Sequence, residues 1–314
     1  IGDTFNGYDG KISIEYRGSS SQSFPKKPYG FETQDSLGNN NNVSLLGMPI
    51  ENDWILYAPY MDKSLMRNFL TLDLGRKMGK YCSRTVYCEL VINGDYQGVY
   101  ILMEKIKRDK NRVDIAALDS DDLNGDSLTG GYIVKIDKFT GSGGGSWLSN
   151  FPNLGGGSTF IQYHYPEGAT LHPLQKNYIE NFVDSFEYAL AGPNFNDSLI
   201  GYLKYIDVNS FIDLYIINEL SRNVDGYRLS TYMYKDRDDN NLIPNDGKFR
   251  FRKQELLYDG IWGAEYDKDY KICNWNNKSS MYPLKSNNNN LIYGSNKYLI
   301  LPKKDMENKE IILP

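Results

Sequence analysis

A chain of 314 residues with a formal net charge of −5 spread along its length can bury a core as one domain or two lobes, and it has no Lys/Arg block of the kind a nucleic-acid surface needs. No apolar run approaches the roughly 20 residues of a membrane-spanning helix. Cys82, Cys88 and Cys273 form no C-x-x-C pair and no metal-ligand spacing, and the sequons at Asn42, Asn196 and Asn277 are about what chance supplies in a chain with 31 Asn. The chain opens at Ile1-Gly2 with neither a Met nor a signal-peptide pattern.

In chain order, residues 11–17 (KISIEYR) alternate apolar and polar side chains and predict a strand, with 29–33 as its partner. Between them runs Arg17-Gly18-Ser19-Ser20-Ser21-Gln22-Ser23-Phe24-Pro25-Lys26-Lys27. This small-residue turn is either an ordinary Ser-rich hairpin loop or a place where backbone N–H groups and ammonium ions meet phosphates. A strand at 54–58 and a helix over about 63–78, capped by Asp62 and stopped at Gly79, come next. Residues 85–92 and 96–103 flank Asn93-Gly94-Asp95, a hairpin signal. The second of these strands ends at Glu104, which is either solvated and paired with Lys107 or reaches a site lysine.

Residues 119–126 are acidic but off the EF-hand template, and 132–137 predict another strand. The glycine-rich run 140–158 reads as a flexible insertion between a strand-rich lobe (1–139) and a helical lobe (159–314). In the helical lobe a helix starts at His172-Pro173, with Leu174, Tyr178, Phe182, Phe186 and Leu190 recurring every fourth residue as core. A second helix, capped by Asp207, is apolar around most of its circumference through Val208, Phe211, Ile212, Leu214, Tyr215, Ile216, Ile217 and Leu220, and is expected to be buried. It ends in the polar turn 221–226, followed by a strand over 229–234 and another over 248–258 that leads to Asp259-Gly260. The Asn-rich tail beyond Asp267 shows little periodicity.

G-x-S-x-G, H-E-x-x-H and the Walker P-loop are all missing from the sequence, and His164 and His172 are the only histidines. His172 reads as the residue before a helix-starting proline and His164 as part of a strand edge. What remains is a pair of carboxylates on turns, Asp225 and Asp259, 34 positions apart, with Ser230 five residues after the first. Asp225 either caps a turn with Gly226 or acts chemically. Phosphoryl transfer uses such a layout, in which one Asp positions the accepting hydroxyl, a second holds Mg²⁺ and a polar side chain at +5 helps the metal. Carboxylates kept for a metal are expected to face each other, and a purely structural carboxylate to sit beside Arg or Lys.

RGSSSQSFPKKPYGFE, NDWILYAPYMDKSLMRN, ELVINGDYQGVYILMEKIK, GGYIVKIDK and SFIDLYIINELSRNVDGYRLSTYMYKD follow one another along roughly residues 11–266. Together they resemble the signature blocks of the CotH family, the spore-coat-protein-H-like proteins. The resemblance implies an α+β, two-lobed atypical protein-kinase-like fold that binds ATP with Mg²⁺ or Mn²⁺ and transfers the γ-phosphate to Ser or Thr of coat or extracellular proteins. It implies a nucleotide side made by Arg17, Lys26, Lys27 and Glu104, and a catalytic turn made by Asn223 and Asp225. Relatives carry Trp-Asp-aromatic-Asp/Asn before Phe-Gly, whereas here the stretch is Leu256-Leu257-Tyr258-Asp259-Gly260-Ile261-Trp262-Gly263, which leaves Asp259 as its only carboxylate for a metal. An active kinase and a degenerate member serving as a coat, surface or complex component are therefore both expected classes. Export of family members implies an extracellular or cell-surface location.

Overall fold

The computed structural model describes residues 7–139, 144–153, 156–223, 225–238, 250–253, 298–301 and 311–313. The chain is a mixed α/β protein rich in strands. In order, its elements are β1 (Gly10–Tyr16), β2 (Tyr29–Gln34), β3 (Asp53–Tyr57), α1 (Arg67–Lys77), β4 (Thr85–Ile92), β5 (Asp95–Glu104), α2 (Gly125–Thr129), β6 (Tyr132–Ile136), β7 (Ser146–Leu148), β8 (Phe160–Tyr165), α3 (Pro173–Ala191), α4 (Val208–Ser221), β9 (Thr231–Lys235), β10 (Arg250–Lys253), β11 (Tyr298–Leu301) and β12 (Ile311–Leu313). Two compact units result, one from residues 1–69, 84–104 and 258–314, the other from 70–83 and 105–257. Residues 140–158 fall inside the second unit.

The first unit is built on one sheet in the order β11-β4-β5-β3-β2-β1-β12. Its central strand is β3, flanked on one side by the β4–β5 hairpin, whose tight turn works because Asn93 (φ 58°) and Gly94 (φ 79°) both adopt the left-handed backbone that a primed turn requires. Alternating side chains from the neighbouring strands fill the core. Ile12, Phe31, Trp54, Leu56, Leu90 and Tyr100 are buried, each aliphatic or Phe side chain among them contributing about 1.5–3 kcal/mol. The Trp54 indole N–H keeps a partner, donating to the Glu51 carbonyl at 3.1 Å.

The second unit carries the sheet β10-β9-β6-β8-β7 with α3 and α4. The start of α3 is overdetermined. His172 Nδ1 accepts from Leu174 N, Gln175 Oε1 accepts from His172 N, and Pro173 occupies the first turn where no N–H is needed. Along α3 the buried stripe is Gln175, Ile179 and Val183, with Tyr178, Phe182 and Phe186 partly buried against the same core. Leu174 and Leu190, expected in the core, are each half exposed, because the buried stripe runs one position C-terminal to the Leu174–Leu190 row and covers only part of it.

Asp207 caps α4 by accepting from Asn209 N and Ser210 N. Gly75 of α1 makes room for Cys82, since a Cβ there would collide with Cys82 Sγ, whereas Ile217 Cδ1 of α4, at 3.4 Å, would be in ordinary contact. Lys80 pairs with Asp213 of α4 at 3.1 Å. The expectation of a helix buried on most sides fails. Ser210, Leu214, Ile217 and Asn218 form a single buried stripe, while Ile212, Tyr215, Ile216 and Leu220 are 44–68% exposed. A helix that packs through one stripe leaves its other faces outward whatever their hydropathy.

In the described part of the glycine-rich run, strand β7 pairs with β8, Trp147 packs on Tyr163 at 4.9 Å between ring centroids, and Asn153 closes a turn by accepting from Gly156 N and Gly157 N. Lys235, at the end of β9, is fully buried. It donates to the Thr129 carbonyl and to Asp238 Oδ1 (2.6 Å) and lies over the Phe182 ring at 4.8 Å, an arrangement that ties β9 to α2 and α3.

His164 lies on β8. Its Nε2 is 2.8 Å from the Ile106 carbonyl, which can only accept, so the neutral ring carries its proton on Nε2. Burial pulls its pKa down to about 4, with Lys135 and Lys105 acting in the same direction and the Ile106 bond and Asp137 opposing. The unfolded chain therefore binds an additional proton between about pH 6.5 and 4, and native stability falls as pH is lowered through that window, by up to about 3 kcal/mol. In His164→Gln, which keeps a donor for Ile106, the acid limb of a denaturant-midpoint profile should flatten by that amount, and an unchanged limb would refute the assignment.

Candidate active site in the turn after helix α4

Helix α4 terminates where Arg222 takes a left-handed backbone (φ 49°) and its N–H reaches back to Asn218 O and Glu219 O. The chain then tightens into a turn in which Asn223 N donates to Asn218 O (2.9 Å) and Gly226 N to Asn223 O (2.9 Å). The carbonyl of Asp225 accepts from Arg228 N and Leu229 N. Gly226 has no room for a side chain, since a Cβ would lie 2.6 Å from the Asn218 amide and 2.9 Å from Asn223 O. Thr231 Oγ1 donates to the Gly226 carbonyl and fastens the turn to β9.

Inside this frame Asp225 is fully buried and ion-paired to the Arg228 guanidinium, whose side chain is 67% exposed. Asn223 is 8% exposed, and its Oδ1 has no hydrogen-bond partner among the described residues. Ser230 holds the left-handed region at φ 47°, unusual for a residue with a Cβ, and donates from Oγ to Asp137 Oδ2 at 3.3 Å. Asn223, Asp225 and Ser230 thus share one stretch of the second unit. The Arg228 pairing is what a structural carboxylate was expected to show.

Arg17 opens a turn closed by its own N–H to the Pro28 carbonyl, and Ser20–Ser23 form a single 3₁₀ turn that engages Gln22 N and Phe24 N. Lys26 Nζ donates to Gln97 O at 2.7 Å and lies 4.2 Å from the centre of the Tyr100 ring, and burial lowers its pKa to about 8. Lys27 Nζ donates to the Gln22 carbonyl. Glu104, expected to be solvated or to orient one of these lysines, is fully buried at the end of β5 and takes Arg84 N at 2.9 Å and the Arg84 guanidinium at 3.0 and 3.1 Å. A buried carboxylate needs both charge balance and hydrogen bonds, and Arg84, adjacent across the sheet, supplies both. Asp259 lies outside the described residues.

Among the described residues no group of three or more His, Cys, Asp or Glu side chains could hold a metal ion. Mg²⁺ needs less than that from a protein, because it keeps waters and takes phosphate oxygens beside one or two carboxylates. The Asp225 carboxylate and the unsatisfied Asn223 Oδ1 are hard oxygen donors that fit such a role. Arg228, Asn218, Asp137 and Arg84 escaped sequence reading. Only Asn218 left a trace there, as a polar residue on the same helical stripe as Leu214 and Ile217.

A family profile described as "CotH kinase protein" matches residues 14–290, most of the chain, and the protein belongs to that family. Inner spore coat protein H of Bacillus subtilis (strain 168) is similar, with 31% identity over 97 residues. That stretch is 30% of this chain and 24% of the relative, so the similarity spans about a quarter of the curated protein.

The strained Ser230 gives a direct test of the turn's energetics. Ser230→Ala and Ser230→Gly both lose the bond to Asp137, but only glycine relieves the left-handed backbone. Chemical denaturation should find the glycine variant more stable than the alanine variant by about 1 kcal/mol. Equal stabilities would mean that the backbone there is not strained.

Proposed function

We propose that the protein is an atypical Ser/Thr protein kinase of the CotH kind, two-lobed and kinase-like, acting on coat or extracellular proteins with ATP and Mg²⁺ or Mn²⁺. The observation that carries this is the buried Asn223–Asp225 turn, braced from α4 and β9, in a chain that belongs to the CotH family. In this reading Asp225 accepts the hydrogen bond of the substrate hydroxyl and takes its proton as the oxygen attacks the γ-phosphorus. The bond from that phosphorus to the β–γ bridging oxygen breaks, ADP leaves and the proton passes on to solvent. Asp225 and Asn223, with Asp259 from the sequence, would hold the metal, which supplies charge neutralisation on the phosphates. Arg17, Lys26 and Lys27 would serve the nucleotide side, and Ser230 would support the metal side. Arg228 balances the Asp225 charge before substrate arrives.

A second reading, a non-catalytic coat or surface component, is favoured by the Arg228–Asp225 pair itself and by the altered motif around Asp259. The two separate in solution. If the kinase reading holds, ATP at about a hundredfold above its Kd with Mg²⁺ or Mn²⁺ stabilises the native state by about 2.7 kcal/mol, a rise in Tm of several degrees. Transfer of labelled phosphate to Ser/Thr-rich protein should then fall by about 10³-fold or more in Asp225→Asn, while the variant stays folded. A wild-type chain that melts cooperatively, gains no Tm from either metal with ATP and labels nothing would establish the second reading instead.

A further inference from the structure

Asn218, one turn before the end of α4, is 1% exposed, and its amide spans the turn that follows. Its Nδ2 is 3.2 Å from the Gly226 carbonyl, and its Oδ1 is 3.2 Å from Asn223 Nδ2. The orientation of both amides follows from chemistry alone. A backbone carbonyl only accepts, so Asn218 must turn its NH₂ toward Gly226 O, which leaves its oxygen facing Asn223. Asn223 must then answer with its own NH₂, and its Oδ1 is driven to the other side, where it is buried and has no hydrogen-bond partner among the described residues. Among the described residues, Asn218 alone chooses between the two flips of Asn223.

We infer that Asn218 is a positioning residue that makes Asn223 present its amide oxygen, so that Asn223 can serve as a ligand to a divalent cation. This rests on the reading of the Asn223–Asp225 turn as the kinase site. Groups that orient a metal ligand without touching the metal typically change metal affinity by about 10- to 100-fold when removed.

The test uses the full chain, MnCl₂ as probe and the Tm rise in the presence of ATP as readout, so it does not depend on turnover. Asn218→Ala frees the Asn223 flip, and the Mn²⁺ concentration giving half the Tm rise should increase by about tenfold or more. Asn218→Asp still accepts from Asn223 Nδ2 but sets an acceptor against Gly226 O. It should melt at a lower temperature yet keep its Mn²⁺ midpoint within about twofold of wild type, because the Asn223 orientation survives. A merely structural Asn218 would shift the Mn²⁺ midpoint in both variants in proportion to lost Tm, or in neither, and either result overturns the inference. Should Asn218→Ala fail to fold, Asn218→Asp decides alone, an Mn²⁺ midpoint raised tenfold or more overturning the inference. A wild-type chain with no Mn²⁺-ATP shift at all overturns the kinase reading and this inference with it.

Discussion

A buried carboxylate just beyond the C-terminal end of a helix is the constraint on which the candidate site depends. The last carbonyls of α4 carry the negative end of its dipole, and taking a carboxylate out of water costs several kcal/mol even before that field is counted. Asp225 is held there by the Arg228 guanidinium, which pairs with it from a more exposed position. The same requirement explains Glu104 in the other sheet, where Arg84 contributes a backbone N–H and a guanidinium. Both acids are held by arginine, whose planar fork suits a buried carboxylate better than an ammonium does.

Rigidity around Asp225 comes from two directions. Helix α4 is tied to the segment that follows α1 by the Lys80–Asp213 pair, and it delivers the Asn218 amide to the turn. Strand β9 takes the chain away and returns Thr231 Oγ1 to the Gly226 carbonyl. Ser230, between them, keeps a left-handed backbone while its hydroxyl reaches Asp137 at the end of β6. Strain at such a position persists only where the surroundings overdetermine it, and helix, strand and hydrogen bonds all converge on this one.

Exposed apolar side chains on α4 sit uneasily with this economy. Ile212, Tyr215, Ile216 and Leu220 face outward from the helix that carries the turn, and Tyr227 lies near Tyr215 with its hydroxyl on Glu219. Hydropathy alone made the helix look buried on most sides, whereas packing through the Ser210–Leu214–Ile217–Asn218 stripe engages only one.

The sequence by itself determined the local elements and the candidate turn. Alternation marked β1, with β2 as its partner, Asn93-Gly94-Asp95 marked the β4–β5 hairpin, Pro173 and Asp207 marked the starts of α3 and α4, and the family blocks marked Asn223 and Asp225. Those features are carried by residues within a few positions of one another, where backbone preference and capping act. Which partners the acids would have was decided only by tertiary structure. Arg84 meets Glu104 because β4 lies beside β5, Ser230 meets Asp137 across 93 positions, and Lys235 is buried because β9 passes beneath α3. Charge pairing and burial depend on distance in space, and no spacing along the chain encodes it.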